Sequence, residues 1–328
     1  MKPKILVSRQ VFPEVLDRLQ ADFEVDYHDV DAPLSPEQLA ARLADKVGAI
    51  TMLSDRIDAS VLGQAPHLKA VCNVAVGYNN FDVPAITAAG VMATNTPGVL
   101  NDTTADTAWS LILSSGRRVV GADRWVREGQ WKGWKFQDAW LGQDIHHATL
   151  GILGMGRIGQ AVARRALGFD MQVIYHNRTR LDDEQEKACH ARWVSKEDLL
   201  KESDFLVALL PYSPQTHHAI GAAELALMKP SAHLINIARG GVVDDQALIE
   251  ALKTQRIAGA GLDVFENEPA LNPGFLGLDN VTLTPHIGSS TRKTRLAMAM
   301  LAADNLVAAL SGQRPPCLIN PEVFKLAD

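Results

Sequence analysis

Short apolar runs alternate along most of the chain with segments whose apolar residues recur at helical spacing. In the first hundred residues this pattern predicts strands over 4–8, 24–27, 49–52 and 69–73, and helices over 13–21 and from Ser35 through Lys46. Ser35-Pro36-Glu37-Gln38 carries the start signal of the second helix: an N-cap, a proline at the first helical position and a glutamine placed to close a capping box. Such strand–helix alternation implies a parallel sheet covered by helices. A second series opens near Asn101, where Asp102 or Thr103 caps a helix running through Thr107, Leu111 and Leu113 toward Gly116. Residues 124–147 then break the periodicity with a polar and aromatic stretch holding Trp125, Trp131, Trp134 and Trp140. Beyond it the pattern predicts a strand around Leu150, Ile152 and Leu153 and a helix over 157–167. Further strands are expected over 172–176, 205–210, 233–237, 259–264 and 281–284, with helices over 195–202, 222–228 and 244–252, enough for a full doubly wound sheet. A last helix over 291–310 is stopped by Gly312-Gln-Arg-Pro-Pro.

The second series is built around Thr149-Leu-Gly-Ile-Leu-Gly-Met-Gly-Arg-Ile-Gly159. Gly154, Gly156 and Gly159 follow a strand and open an Ala-rich helix, the context that turns a common glycine spacing into a dinucleotide fingerprint. Gly154 permits the tight turn, Gly156 removes the side chain where backbone meets pyrophosphate, and Gly159 lets the helix pack closely. Arg157 and Ile158 begin that helix, whose unpaired N–H groups and positive dipole end face the anion. The expected organisation is therefore α/β with two Rossmann-like domains: a dinucleotide-binding domain over 101–288, inserted into a smaller domain made of 1–100 plus 289–328.

The end of the next strand bears on the cofactor's ribose. NAD sites place Asp or Glu about 20 residues beyond the fingerprint, and Arg replaces it where a 2′-phosphate is held. Here the stretch is Tyr175-His-Asn177-Arg178-Thr179-Arg180, and no carboxylate lies between Asp170 and Asp182. A phosphate would meet Arg178, Arg180 and the Asn177 and Thr179 side chains, so NADP(H) is expected in preference to NAD(H).

Composition narrows the class without changing it. At 328 residues and 47% hydrophobic the chain has material for two cores. A formal charge of −6 without a long basic block speaks against a nucleic-acid partner. Cys72, Cys189 and Cys317 are odd in number and unpaired by spacing, which suits a reducing compartment. The apolar start is too short for a signal peptide and the 205–210 run too short for a membrane span, so a cytoplasmic, membrane-free protein is expected. The pairs His146-His147 and His217-His218 are read as neighbours on extended chain that point to opposite faces, and no metal is expected.

Three later segments place reactive side chains at successive strand ends, the edge where open α/β sheets bind ligands. They are Asn236-Ile-Ala-Arg239-Gly-Gly, Gly261-Leu-Asp-Val-Phe-Glu266-Asn-Glu268-Pro and Thr284-Pro-His286-Ile-Gly. On chemistry alone Glu266 and Glu268 are equally plausible partners for His286.

Together with the glycine motif, Met228-Lys-Pro, Asn236-Ile-Ala-Arg239-Gly-Gly-Val-Val-Asp244, Gly261-Leu-Asp-Val-Phe-Glu-Asn-Glu268-Pro269 and Pro285-His-Ile-Gly-Ser289 resemble the D-isomer-specific 2-hydroxyacid dehydrogenase family over nearly the whole chain. Asp144-Ile-His-His-Ala-Thr-Leu-Gly and Glu202-Ser-Asp-Phe are most similar to its bacterial glyoxylate/hydroxypyruvate reductases, a branch that also reduces 2-ketogluconate. The resemblance implies a flavodoxin-like substrate domain that closes over cofactor and a short 2-oxo acid, with Arg239, Glu268 and His286 as the catalytic trio. It implies that Thr104 touches the cofactor and that Pro211, Thr216, Ile237, Asp263 and Gly288 also line its site. The loop Asn73-Val-Ala75-Val76-Gly77 resembles one whose backbone amides grip the substrate carboxylate, with Leu53 and Arg292 as further substrate contacts. It also implies a homodimer formed through the tryptophan stretch, with Trp134 approaching the neighbouring subunit. Two alternatives stand beside this reading: an NAD-dependent phosphoglycerate-type dehydrogenase, and a non-catalytic NAD(P)-sensing protein of the same fold.

Overall fold

In the computed structural model, which describes residues 1–324, the chain divides into two compact units, Met1–Leu100 with the chain from Thr291, and Asn101–Ser290. The first contains β1 (Lys4–Val7), α1 (Pro13–Gln20), β2 (Glu24–Tyr27), α2 (Pro36–Leu43), β3 (Gly48–Thr51), α3 (Ala59–Leu62), β4 (Ala70–Asn73), α4 (Val83–Ala88) and β5 (Met92–Thr94). Its five parallel strands lie in the order β2-β1-β3-β4-β5, the flavodoxin-like doubly wound arrangement. α2 starts as its sequence demands, because the Gln38 N–H donates to Ser35 Oγ while Gln38 Oε1 accepts the Ser35 N–H.

The second unit contains α5 (Asn101–Gly116), α6 (Val119–Arg127), β6 (Thr149–Leu153), α7 (Arg157–Ala166), β7 (Gln172–His176), α8 (Asp183–Cys189) and β8 (Ala191–Trp193). It continues through α9 (Lys196–Glu202), β9 (Phe205–Ala208), α10 (Ala222–Leu227), β10 (His233–Asn236), α11 (Asp245–Lys253), β11 (Gly259–Leu262) and β12 (Val281–Leu283). The seven parallel strands run β12-β11-β10-β9-β6-β7-β8, so the winding reverses between β6 and β9. That switch point is where ligands of open α/β sheets bind, beyond the carboxyl ends of the strands. The chain then returns to the first unit as α12 (Arg292–Leu310).

The pleat sorts the strands between two cores within each unit. In β1, Ile5 and Val7 pack with Val15 and Leu19 of α1 and with Ala302 and Leu306 of α12, whereas Leu6 packs with Leu39 and Leu43 of α2. Apolar residues on both faces are what a sheet covered on both sides requires, and they explain why these strands read as continuous runs. In the second unit Ile152 and Val207 face α5 and α7, while Leu153, Leu206 and Ala208 face the α9–α11 side. Small residues on facing helices, Ala105 and Ala108 on α5 and Ala161 and Val162 on α7, share one core. The Trp109 indole N–H donates to the Val162 carbonyl at 3.0 Å across that contact.

Several elements lie outside the sequence pattern. β5 is three residues long, and α3 and α4 are one to two turns, too short to set a period. α8 and β8 are missed because β8 is an edge strand of half-buried and exposed residues and carries no apolar run. α6 occupies the start of the tryptophan stretch, and none of its residues is buried. No helix among the described residues is long and apolar enough to cross a membrane.

Candidate active site

The glycine turn sits at the switch point. Gly154 has φ +107°, and a Cβ there would lie 2.8 Å from the Leu209 carbonyl carbon after β9, so the backbone closeness that shapes the turn excludes any side chain. At Gly159 a Cβ would meet the Gly154 carbonyl oxygen at 2.6 Å, which sets α7 directly against the turn. The first helical hydrogen bond is Gln160 N–H to Gly156 O, which leaves the N–H groups of Arg157, Ile158 and Gly159 outside the ladder at the helix start. Gly156 is exposed, and a Cβ there would enter open space, as a cradle for a ligand requires.

Asn177 holds this turn from the end of β7: its Oδ1 accepts the Met155 N–H at 2.7 Å and its amide donates to the Met155 carbonyl. Arg178 and Thr179 beside it are exposed. Arg180 is engaged elsewhere, forming a two-pronged ion pair with Glu186 of α8. The same carboxylate accepts the Tyr175 hydroxyl at 2.6 Å. The Arg180 guanidinium is the main influence holding the Glu186 carboxyl down at about 2. Pro211 and Thr216 share one turn beyond β9, where Thr216 Oγ1 donates to the Pro211 carbonyl at 2.7 Å.

Arg239, Glu268 and His286 follow β10, β11 and β12 at the same edge of the sheet. Asn236 shapes the first of these loops by accepting the Ala238 N–H. The Arg239 Nη1 donates to the Ala238 carbonyl at 2.9 Å, while its Nε is buried without a hydrogen-bond partner among the described residues. Burial favours deprotonation of this guanidinium, and the Glu268 charge opposes it. Glu268 Oε2 lies 2.7 Å from His286 Nδ1, and Oε1 accepts the Phe265 N–H at 2.8 Å. Burial pushes the Glu268 carboxyl up, but His286, the Phe265 N–H and Arg239 together hold it below its usual range. An ionised carboxylate accepts only, so the His286 Nδ1 carries the proton and Nε2 is the nitrogen available for chemistry.

His286 has φ +53°, an unusual backbone for a non-glycine residue, and a buried carboxylate stabilises it. Asp263 Oδ1 accepts the Thr284 hydroxyl at 2.7 Å and the Ile287 N–H at 2.8 Å, and Oδ2 accepts the Gly288 N–H at 2.8 Å. Asp263 therefore anchors the loop that carries the histidine. A Cβ on Gly288 would touch Asp263, Thr104 and Ile237, so these four candidate cofactor residues form one cluster.

In the first unit, Ala75, Val76 and Gly77 form a loop held by its carbonyls. Thr96 N–H donates to Ala75 O, Asn95 to Val76 O and Asn73 to Gly77 O. None of the three N–H groups donates a hydrogen bond among the described residues, and successive free N–H groups are the elements of an anion nest. Leu53 is half-buried after β3. Arg292, expected to reach substrate, pairs with Glu14 at 2.7 Å and lies over the Phe12 ring. Arg9, which the sequence did not single out, stands just past β1; it donates to Ser54 Oγ, and its buried Nε has no hydrogen-bond partner among the described residues.

The histidine pairs correct the sequence reading. His147 and His218 have φ of +61° and +51°, so neither pair lies on extended chain. The His217 and His218 rings stack with centroids 3.8 Å apart instead of pointing to opposite faces. Glu266, the rival carboxylate, faces this pair, 2.5 Å from His218 Nε2.

A glycine turn at the switch point and a carboxylate–histidine pair at neighbouring strand ends define an α/β oxidoreductase built around a nicotinamide dinucleotide. The family described as D-isomer specific 2-hydroxyacid dehydrogenase, NAD binding domain, matches residues 109–288, and the chain belongs to it. It is 48% identical to the glyoxylate reductase of Thermococcus onnurineus, covering 99% of this chain and 98% of that one. The glyoxylate reductase of Pyrococcus furiosus is 47% identical over the same shares. Among solved structures, the NADPH-dependent glyoxylate/hydroxypyruvate reductase of Sinorhizobium meliloti, in complex with NADP and malonate, superposes with a TM-score of 0.88 at 33% identity, covering 100% of both chains.

Proposed function

We propose that this protein reduces short 2-oxo acids, namely glyoxylate, hydroxypyruvate or 2-ketogluconate, to D-2-hydroxy acids with NADPH preferred over NADH. The observation that carries the reading is the 2.7 Å contact between Glu268 and His286. The names of the relatives agree with glyoxylate as a substrate, and the Sinorhizobium enzyme binds NADP and the dicarboxylate malonate.

When bound, the nicotinamide supplies the hydride that reaches the substrate C2. The carbonyl oxygen then gains charge and takes a proton from His286 Nε2. Glu268 orients the ring through Nδ1. General acid help of this kind contributes roughly 10²–10⁴-fold. Arg239 offers a planar fork to the substrate carboxylate and polarises the carbonyl; its buried, unpartnered Nε suits that role. The N–H groups of residues 75–77, which have no acceptor among the described residues, are a second oxyanion grip, with Leu53 and Arg292 as further substrate contacts.

The N–H groups of Arg157, Ile158 and Gly159, with Gly154 and Gly156, hold the cofactor pyrophosphate. Thr104, Pro211, Thr216, Ile237 and Gly288 line the rest of the cofactor, with Asp263 fixing their shape. Arg178 and Thr179, with Asn177, receive the 2′-phosphate, since β7 ends without a carboxylate for a ribose hydroxyl pair. The exposed apolar residues Val119, Val120 and Val126 on α6 and Trp131, Trp134 and Phe136 beyond it support a homodimer through this stretch.

The test is Arg178→Asp, assayed with NADPH and NADH against glyoxylate, hydroxypyruvate, 2-ketogluconate and 3-phosphohydroxypyruvate. The expected outcome is a rise in KM for NADPH with little change for NADH. Equal effects on both cofactors overturn the NADP assignment. NADH-linked reduction confined to the phosphorylated acid points to a phosphoglycerate-type enzyme, and binding without turnover points to a sensor.

A further inference from the structure

The geometry points to a transition-metal site, with zinc as the best-suited ion, formed by His217, His218 and Glu266 between the loop after β9 and the loop after β11. One ligating atom from each of these side chains can be chosen so that all three lie within 4.8 Å of one another. Two imidazoles and a carboxylate form a borderline nitrogen–oxygen set that suits zinc and its neighbours, whereas magnesium and calcium favour oxygen alone.

Three features of the backbone and surroundings build the site. The left-handed backbone at His218 turns its ring alongside that of His217, so adjacent residues present their nitrogens together. Gly241, at φ +79°, lets the loop after β10 come close; a Cβ there would lie 2.8 Å from the Tyr212 ring and 3.4 Å from His217 Nδ1. The cluster opens on a cavity of about 300 Å³.

Each ring also has an oxygen on its Nδ1 side. The Tyr212 hydroxyl is 3.3 Å from His217 Nδ1, and Asp244 Oδ2 is 3.6 Å from His218 Nδ1. Where the Tyr212 hydroxyl accepts from His217 Nδ1–H, Nε2 is left as a ligand, the usual support for a metal-bound histidine, whereas Asp244 at 3.6 Å offers His218 charge rather than a hydrogen bond. His218 Nε2 faces Glu266 Oε1 at 2.5 Å, a hydrogen-bond separation that an ion bound by both atoms would widen. His217 is exposed, so water can complete the coordination. A bound ion would tie the loop after β9 to the segment that carries Glu268.

The site is tested on the intact chain after chelator treatment and dialysis, by titrating Zn²⁺ in competition with a chromophoric chelator. The expected result is one equivalent bound at micromolar affinity. His217→Ala and Glu266→Gln should each weaken binding at least about tenfold, in line with the loss of a site-forming group, while His146→Ala leaves it unchanged. His217 is exposed, so its variant reports on binding without a folding defect, and circular dichroism checks Glu266→Gln. Substitution with Co²⁺ should give the visible absorption of a low-symmetry nitrogen–oxygen site, lost in His217→Ala. No binding below about 100 μM, or equal binding by wild type and both variants, overturns the assignment and leaves the cluster a proton-bridged ion pair.

Discussion

Replacing Glu268 with Gln tests the acid–base pair by removing one charge at nearly constant shape. The carboxylate accepts twice, from the Phe265 N–H at 2.8 Å and from His286 Nδ1 at 2.7 Å. A glutamine amide has one oxygen, so the variant keeps one acceptance and turns an N–H₂ toward the other donor. If the oxygen stays with Phe265, His286 loses both its charge partner and the tautomer that leaves Nε2 facing the substrate. A hydrogen bond to a charged group contributes roughly 1.5–3 kcal/mol, and each 1.36 kcal/mol is tenfold in rate, so kcat/KM should fall by about 10- to 150-fold. The assay is steady-state reduction of glyoxylate at saturating NADPH, with NADPH affinity measured separately by fluorescence. A kcat/KM within threefold of wild type, with NADPH binding intact, would refute the role given to this pair.

Other perturbations read different parts of the structure. His233 in β10 is buried against Ser115, and burial pushes its pKa from 6.5 down to about 4. The unfolded chain therefore takes up a proton that the folded one refuses, and stability falls as pH drops from 6.5 toward 4. At pH 5 this contribution reaches about 2 kcal/mol, so His233→Gln should show a shallower loss between pH 7 and pH 5 in urea unfolding. Parallel pH dependences would discard the argument. Gly154→Ala forces a Cβ onto the Leu209 backbone at a positive φ, and should weaken NADPH binding by tenfold or more while lowering the melting temperature by several degrees. Unchanged affinity would separate the glycine turn from cofactor binding.

The chain made its covered strands legible because both faces are apolar, and the glycine turn legible because strand, spacing and helix occur together. Arg239 and His286 were visible as reactive residues just past strands. Choosing Glu268 over Glu266 required either the family resemblance or the folded loop, since two carboxylates two residues apart look alike in sequence. What escaped depends on contacts distant in sequence or on backbone angles. Glu186 arrives from α8 to occupy Arg180, Asp263 holds the loop of His286, and Asn177 holds the glycine turn. α6 was illegible because none of its residues is buried, and what its Trp125 packs against is Trp140 of the irregular stretch. The pairing of His217 with His218 follows from one left-handed residue, which alternation along an extended strand could not foretell.

The most direct test of the proposed chemistry is the initial rate of glyoxylate-dependent NADPH oxidation, measured in parallel on the wild-type protein and on His286→Gln. The expected result is rapid oxidation by the wild type, and a loss of at least about 10²-fold in the variant with NADPH still bound at wild-type affinity. A wild type that binds NADPH without oxidising it in the presence of glyoxylate, or a variant that keeps full turnover, would contradict the assignment of His286 as the proton donor in 2-oxo acid reduction.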